Sequence, residues 1–139
     1  MKNTKLIMIE GIPGSGKSTT AQLISHELLR QGLRHKWWYE EEKGHPVYIY
    51  DNYDVMQTII NELSDGNYQQ VIHKALKQWQ QFVEAVQSSD GIIIVDSCLF
   101  GYLTWTLFPF GVSRQEIEAY VKDIEQIIMP LNPYIIYFY

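Results

Sequence analysis

The sequence predicts an α/β protein in which a parallel β-sheet is sandwiched by helices. Three observations carry this expectation. Short apolar runs at 6–9, 92–95 and 134–139 have the length and branched character of buried strands. Stretches with apolar residues at helical spacing lie between them. A glycine-rich turn joins the first run to the first helix, the order expected of a parallel unit.

Each element follows from local chemistry. Leu6, Ile7, Met8 and Ile9 predict a buried strand that runs through Glu10 into glycine. After the turn, Ala21, Leu23, Ile24, Leu28 and Leu29 predict a helix closed by Gly32. Residues 35–40, with Trp37, Trp38 and Tyr39, predict the second strand. An acidic loop from Glu40 to Pro46 follows, then a short extended piece over 47–50 and a helix capped by Asp54. Asp65-Gly66 predicts a turn. Tyr68, Val71, Ile72, Ala75, Trp79, Phe82, Val83 and Val86 share one face of a long helix over 67–88. Residues 91–96 predict a central strand buried on both faces. A short helix over 99–107 stops at Pro109 and Gly111, and Ser113 with Glu116 forms a capping box for a helix reaching Ile128. Pro130 and Pro133 end that helix, and 134–139 is the last strand.

Composition narrows the class. The 139 residues suit one domain; 46% are hydrophobic and 19% charged, which excludes a disordered or coiled-coil chain. Eleven Lys and Arg stand against sixteen Asp and Glu, a net charge of −5. That balance argues against a dedicated nucleic-acid binder, because phosphate-backbone affinity needs dense basic patches. It leaves room for a local phosphate site. The single Cys98 excludes an internal disulfide and a cysteine zinc cluster, so the expected setting is cytoplasmic. No apolar run approaches the roughly 18 residues that span a bilayer, so no membrane partner is expected.

One motif decides the chemistry. Gly11, Ile12, Pro13, Gly14, Ser15, Gly16, Lys17 and Ser18 fit G-x-x-x-x-G-K-[ST], followed by Thr19. Glycines let the backbone curl so that successive N–H groups face an anion, and the next helix aims its N-terminus at the same phosphates. Lys17 would reach the β- and γ-phosphates of ATP, and the Ser18 hydroxyl would ligate Mg²⁺. The pattern arises by chance about once in 200 chains of this length, and here it stands where the chemistry needs it, between strand and helix. Such a site also wants a carboxylate at the end of a neighbouring strand. Asp96 closes the most apolar strand and is the first candidate; Asp51 is the reserve.

Ile9-Glu10-Gly11 running into Gly14-Ser15-Gly16-Lys17-Ser18-Thr19 resembles the opening of the deoxynucleoside kinases and thymidylate kinases. The resemblance covers residues 5 to 31 most fully and 92 to 97 in part. It implies a P-loop, kinase-like nucleoside triphosphate hydrolase fold and ATP-dependent transfer to a hydroxyl or phosphate of a small molecule, first a nucleoside or nucleotide. It also implies an acidic general base at the end of the second strand, where Glu40, Glu41 and Glu42 stand. The family's acidic-Arg-Ser triplet reads Asp96-Ser97-Cys98 here, so the acid matches and the arginine is missing. The alternative is a P-loop ATPase or a nucleotide-binding regulatory module with no acceptor of its own. A GTPase switch is excluded by Asp96-Ser97-Cys98-Leu99, which lacks Asp-x-x-Gly.

Other features carry less. The hydroxyls of Thr19 and Ser97 come within reach of phosphates if the loop folds this way. Gln78, Gln80 and Gln81 could read a base edge but fit an exposed helix face; Tyr50, Tyr53 and Tyr68 could stack on a base but fit ordinary packing. His45 precedes a turn proline, and Cys98 reads as a small buried residue. In the kinases it resembles, an arginine-bearing lid and a further strand follow the last strand seen here. No arginine follows the run 134–139. The expectation is therefore a domain truncated at its C-terminus, with its last strand covered by missing chain or by a partner, a second copy included. Such a chain would bind triphosphate and turn over poorly alone.

Overall fold

The structure is a computed structural model that describes residues 3–139, apart from the side chains of Tyr102 and Trp105. Its four strands are β1 (Leu6–Gly11), β2 (His35–Trp38), β3 (Ile92–Asp96) and β4 (Tyr134–Phe138). Its helices are α1 (Lys17–Arg30), α2 (Tyr53–Ser64), α3 (Tyr68–Gln87), the single turn α4 (Trp105–Leu107) and α5 (Arg114–Ile128). The strands form one parallel sheet in the order β2-β3-β1-β4. This is the parallel, helix-flanked architecture that the apolar runs predict.

The period of two along β1 sorts the core. Leu6 and Met8 face a cluster built with α2, α3 and α5, including Trp79, Phe82, Ile117, Ile124 and Val95. Ile7 and Ile9 face the other way, onto Ala21 and Leu28 of α1 and Ile94 of β3. β1 and β3, the two inner strands, therefore carry apolar side chains on both faces, while edge strand β4 leaves Tyr134, Ile135 and Tyr137 about half exposed. Lys5 fastens this frame from below: its ammonium donates to the carbonyls of Val86, Gln87 and Ser89 at 3.4, 2.9 and 2.9 Å, where α3 ends.

Several expectations are corrected. β2 stops at Trp38, because Tyr39 and Glu40 turn away into the acidic loop. Residues 47–50 form no strand: Val47 ends a turn, and a bend at Ile49 follows; Val47 alone is fully buried there. The cap of α2 is Asn52, whose side chain accepts the Val55 N–H at 3.0 Å, while Asp54 sits inside the first turn. The helix expected from Ala21 to Leu29 is present as α1, with Leu23 and Leu29 exposed because a single helix over the sheet buries only a narrow stripe. The stretch after β3 is a π turn (Phe100–Thr104), α4 and a 3₁₀ turn (Phe108–Phe110) that Gly111 ends with φ 73°. β3 and β4 lose one terminal residue each relative to the predicted runs.

Candidate functional site

The site lies at the carboxyl ends of the two inner strands, where open α/β sheets hold their ligands. β1 delivers its last residues, Glu10 and Gly11, into a loop that wraps back to the first turn of α1. Gly14 and Gly16 take φ of 77° and 94°, and Gly16 is the left-handed residue on which α1 starts. Gly11 is required for a second reason: a Cβ there would stand 2.5 Å from the Phe138 carbonyl oxygen of β4. Around this turn lies a cleft of about 450 Å³ lined by Gly11, Pro13, Gly14, Gly16, Lys17, Ser18, Thr19, Glu40, Ser97 and Gly101. Ile12 is 59% exposed on the outside of the loop, and Ser15 likewise lies off the lining.

Lys17 is the one cation in that lining among the described residues. Its side chain is buried and its ammonium donates to the Ile12 carbonyl at 2.9 Å, folded along the loop it would leave for an anion. The Ser18 hydroxyl donates to Asp96 Oδ2 at 2.8 Å, so loop and β3 meet through the two residues chosen as metal ligands. The other oxygen, Oδ1, accepts from the Trp37 indole at 3.1 Å. Burial raises the Asp96 carboxyl above its ordinary range; the Trp37 and Ser18 bonds work against that, and the charge of Glu40 adds to it.

Glu10 was not singled out by sequence as a site residue, yet it organises the far wall. Its carboxylate is fully buried and accepts the N–H groups of Cys98 and Leu99 at Oε1, 2.9 and 2.8 Å, and of Phe100 at Oε2, 3.1 Å. Burial raises its pKa against those three bonds and the Lys17 charge. Ser97 takes φ 60° so that the chain can turn into this grip, and Gly101 packs so close that a Cβ would lie 3.1 Å from Ser97 Cβ. The sequence signals the need and not the partners: a carboxylate within a buried strand end must find several donors.

The three glutamates separate. Glu40 lines the cleft; Glu41 and Glu42 do not. Glu42 is held by Lys36 at 2.7 Å and by the Tyr39 N–H, which together lower its pKa. All three line a second cavity of about 450 Å³ with Lys43, His45, Tyr48, Tyr50, Asp51, Asn52, Tyr53 and Met56. Glu40 is thus common to both spaces. Asp51 faces only the second, which leaves Asp96 alone of the two aspartates against Ser18. Gln78 donates to the Pro46 carbonyl at 2.7 Å, while Gln80 and Gln81 are exposed on α3. Tyr68 donates to Glu116, so it holds α5 and not a base. Cys98 is buried with its thiol pushed up by burial, beside His45.

The residues present fit a Mg²⁺-nucleotide. The hydroxyl oxygen of Ser97, in the cleft lining with the glycine turn and Lys17, is buried without a hydrogen-bond partner. Among the described residues no group of three or more His, Cys, Asp or Glu converges on one point. A magnesium ion here would therefore rest on Ser18, Asp96 and the phosphates themselves, as its preference for few carboxylates and several waters allows.

The model of one protein family, Schlafen group 3, DNA/RNA helicase domain, matches residues 4–98. The chain belongs to this family. No curated protein matches it. Among solved structures it is similar to APE1195, with 15% identity and a TM-score of 0.43 over 99% of this chain and 60% of that one. A thymidylate kinase from Ehrlichia chaffeensis matches with 15% identity and a TM-score of 0.42 over 99% of this chain and 90% of that one. A thymidylate kinase from Candida albicans matches with 20% identity and a TM-score of 0.45 over 92% of this chain and 57% of that one. No helix among the described residues of this family member is long and apolar enough to cross a membrane.

Proposed function

We propose that the chain binds a Mg²⁺-nucleoside triphosphate in the glycine-loop cleft and transfers its terminal phosphoryl group to a hydroxyl of a small molecule in the second cavity. The observation that carries this reading is Glu40, the carboxylate shared by the two spaces. An acceptor hydroxyl beside it would give its proton to the Glu40 carboxylate as the new O–P bond forms. The bond from that phosphorus to the leaving diphosphate breaks, and the departing charge falls on Lys17 and the loop N–H groups. Magnesium, when bound, would neutralise phosphate charge from its place by Ser18 and Asp96.

Charge chooses between the two acceptor chemistries. The second cavity sets Glu40, Glu41 and Asp51 against Lys43, with Glu42 already engaged by Lys36. The hydroxyl of Tyr39, the residue before Glu40, is pushed up chiefly by the charge of Glu41. A phosphate acceptor would meet net repulsion there, whereas a neutral or amine-bearing ring compound finds carboxylates and tyrosines suited to it.

A second reading, a nucleoside triphosphatase with no acceptor, draws on the helicase-domain family that residues 4–98 match. One experiment separates them. Phosphate release and product formation are followed with Mg-ATP, alone and with nucleosides, nucleotides and amino-substituted cyclic alcohols. Transfer that requires an acceptor, falls by at least 100-fold in Glu40→Gln and leaves ATP affinity intact supports the kinase. Equal phosphate release without any acceptor supports the triphosphatase. ATP binding unchanged in Lys17→Ala would remove the nucleotide site from both.

A further inference from the structure

Both oxygens of the Asp96 carboxylate are engaged, and the second engagement belongs to no part of the phosphate-binding motif. Trp37 lies on β2, opposite Ile94 of β3 in the sheet register. Asp96 is two residues beyond Ile94, so it shares that strand face, and a long side chain on β2 can reach it diagonally. The Trp37 indole does so, donating to Oδ1 at 3.1 Å while Ser18 donates to Oδ2 at 2.8 Å. The ring is fixed from two other sides. It packs with Ile7, Ile9, Ala21 and Leu28 between the sheet and α1, and Tyr39 meets it edge-on, ring centroids 6.0 Å apart.

From this geometry we infer that Trp37 is a positioning residue for the magnesium site, holding the Asp96 carboxylate in the plane that presents Oδ2 to the Ser18 side. The inference rests on the nucleotide reading of the cleft. An indole N–H suits the task because it is a neutral, donor-only group. It fixes one oxygen without competing as a metal ligand and leaves the carboxylate ionised. Without it the Ser18 hydroxyl alone restrains the carboxylate's last torsion, which is broad and two-fold, and metal binding must then pay for the rest of its ordering. Outer partners of metal ligands commonly alter metal affinity by ten- to a hundredfold.

The test titrates Mg²⁺ into the chain saturated with ADP and reads the half-saturating metal concentration calorimetrically. Trp37→Phe is expected to raise that concentration about tenfold and to leave metal-free ADP affinity unchanged. In an Asp96→Asn background the same substitution should add nothing, because the group it orients no longer binds in the same way. The wild-type chain supplies a readout independent of any variant's folding: the Trp37 indole N–H resonance should shift with Mg²⁺ and not with ADP alone. Unchanged metal affinity in Trp37→Phe, an equal loss in the Asp96→Asn background, or a resonance indifferent to Mg²⁺ would each overturn the assignment. Failure of the nucleotide reading has a different signature: ADP then binds neither wild type nor Trp37→Phe, or binds Lys17→Ala as well as wild type.

Discussion

His45 shows what burial does to one titratable ring. It is 3% exposed, stacked on Tyr48 with centroids 4.0 Å apart, and its Nε2 lies 3.5 Å from the Cys98 sulfur. Burial lowers its pKa from 6.5 to about 4, against the nearby Glu42 charge. The folded chain thus refuses a proton that the unfolded chain accepts. The neutral ring costs nothing above pH 6.5; as pH falls from there toward 4, stability is lost, up to about 3 kcal/mol. Glu10 and Asp96, both raised by burial, act in the opposite sense at acid pH. The diagnostic is therefore the difference between two proteins. His45→Phe, which keeps an aromatic ring on Tyr48, should lose melting temperature less steeply than wild type between pH 6.5 and 4. Parallel curves for the two would show that His45 does not titrate this way.

At the scale of elements, the start of α5 joins a local signal to a distant one. Ser113 Oγ accepts the Glu116 N–H at 3.2 Å, and Glu116 Oε2 accepts the Ser113 N–H and hydroxyl at 3.3 and 2.9 Å. The other oxygen of Glu116 accepts the Tyr68 hydroxyl from the first residue of α3. Ser113→Ala should cost about 1 kcal/mol in urea unfolding. Glu116→Ala should cost more, since it also releases α3, and Tyr68→Phe should account for the difference between the two. The capping box was legible because all its atoms lie within four residues, while the Tyr68 link was not, because it spans 48 positions. The same division runs through the fold and the site. Strands β1 and β3 and the glycine loop announce themselves through apolar runs and spacing. The Trp37–Asp96 bond, the Glu10 grip on residues 98–100 and the choice of Glu40 over Glu42 depend on which strands become neighbours, and no local pattern encodes that. Leu23 and Leu29 show the same limit: helical periodicity marks an apolar face, but the width buried is set by how many helices share that side of the sheet.

At the scale of the whole molecule, the two functional readings differ in the field they need. A domain that works on nucleic acid must neutralise a run of phosphates with uncommitted lysines and arginines. Here the net charge is −5. Among the described residues, Arg30, Arg34, Lys36, Lys74 and Arg114 sit in ion pairs with Glu27, Asp90, Glu42, Glu62 and Glu118. Lys5 is spent on the end of α3, and Lys17 lies inside the cleft, so that Lys43, Lys77 and Lys122 are the cations outside such pairs among the described residues. Such surface pairs are individually weak, but each sets its cation beside a carboxylate that repels a polyanion. The carboxylates around the second cavity reach the glycine-loop cleft through Glu40, which lines both. A long polyanion is thereby disfavoured, while a compact triphosphate chelated to magnesium would carry much less charge and would meet the loop N–H groups at short range. The expected outcome for this 139-residue chain on its own is therefore selective. At physiological salt, single-stranded DNA or RNA should bind no tighter than about 10⁻⁴ M, the weak end of non-specific association, and should not stimulate phosphate release from Mg-ATP. Fluorescence anisotropy with labelled oligonucleotides and a phosphate-release assay in their presence measure both. Micromolar binding that falls steeply with salt, accompanied by stimulated release in the absence of any small-molecule acceptor, would reverse the ranking of the two readings.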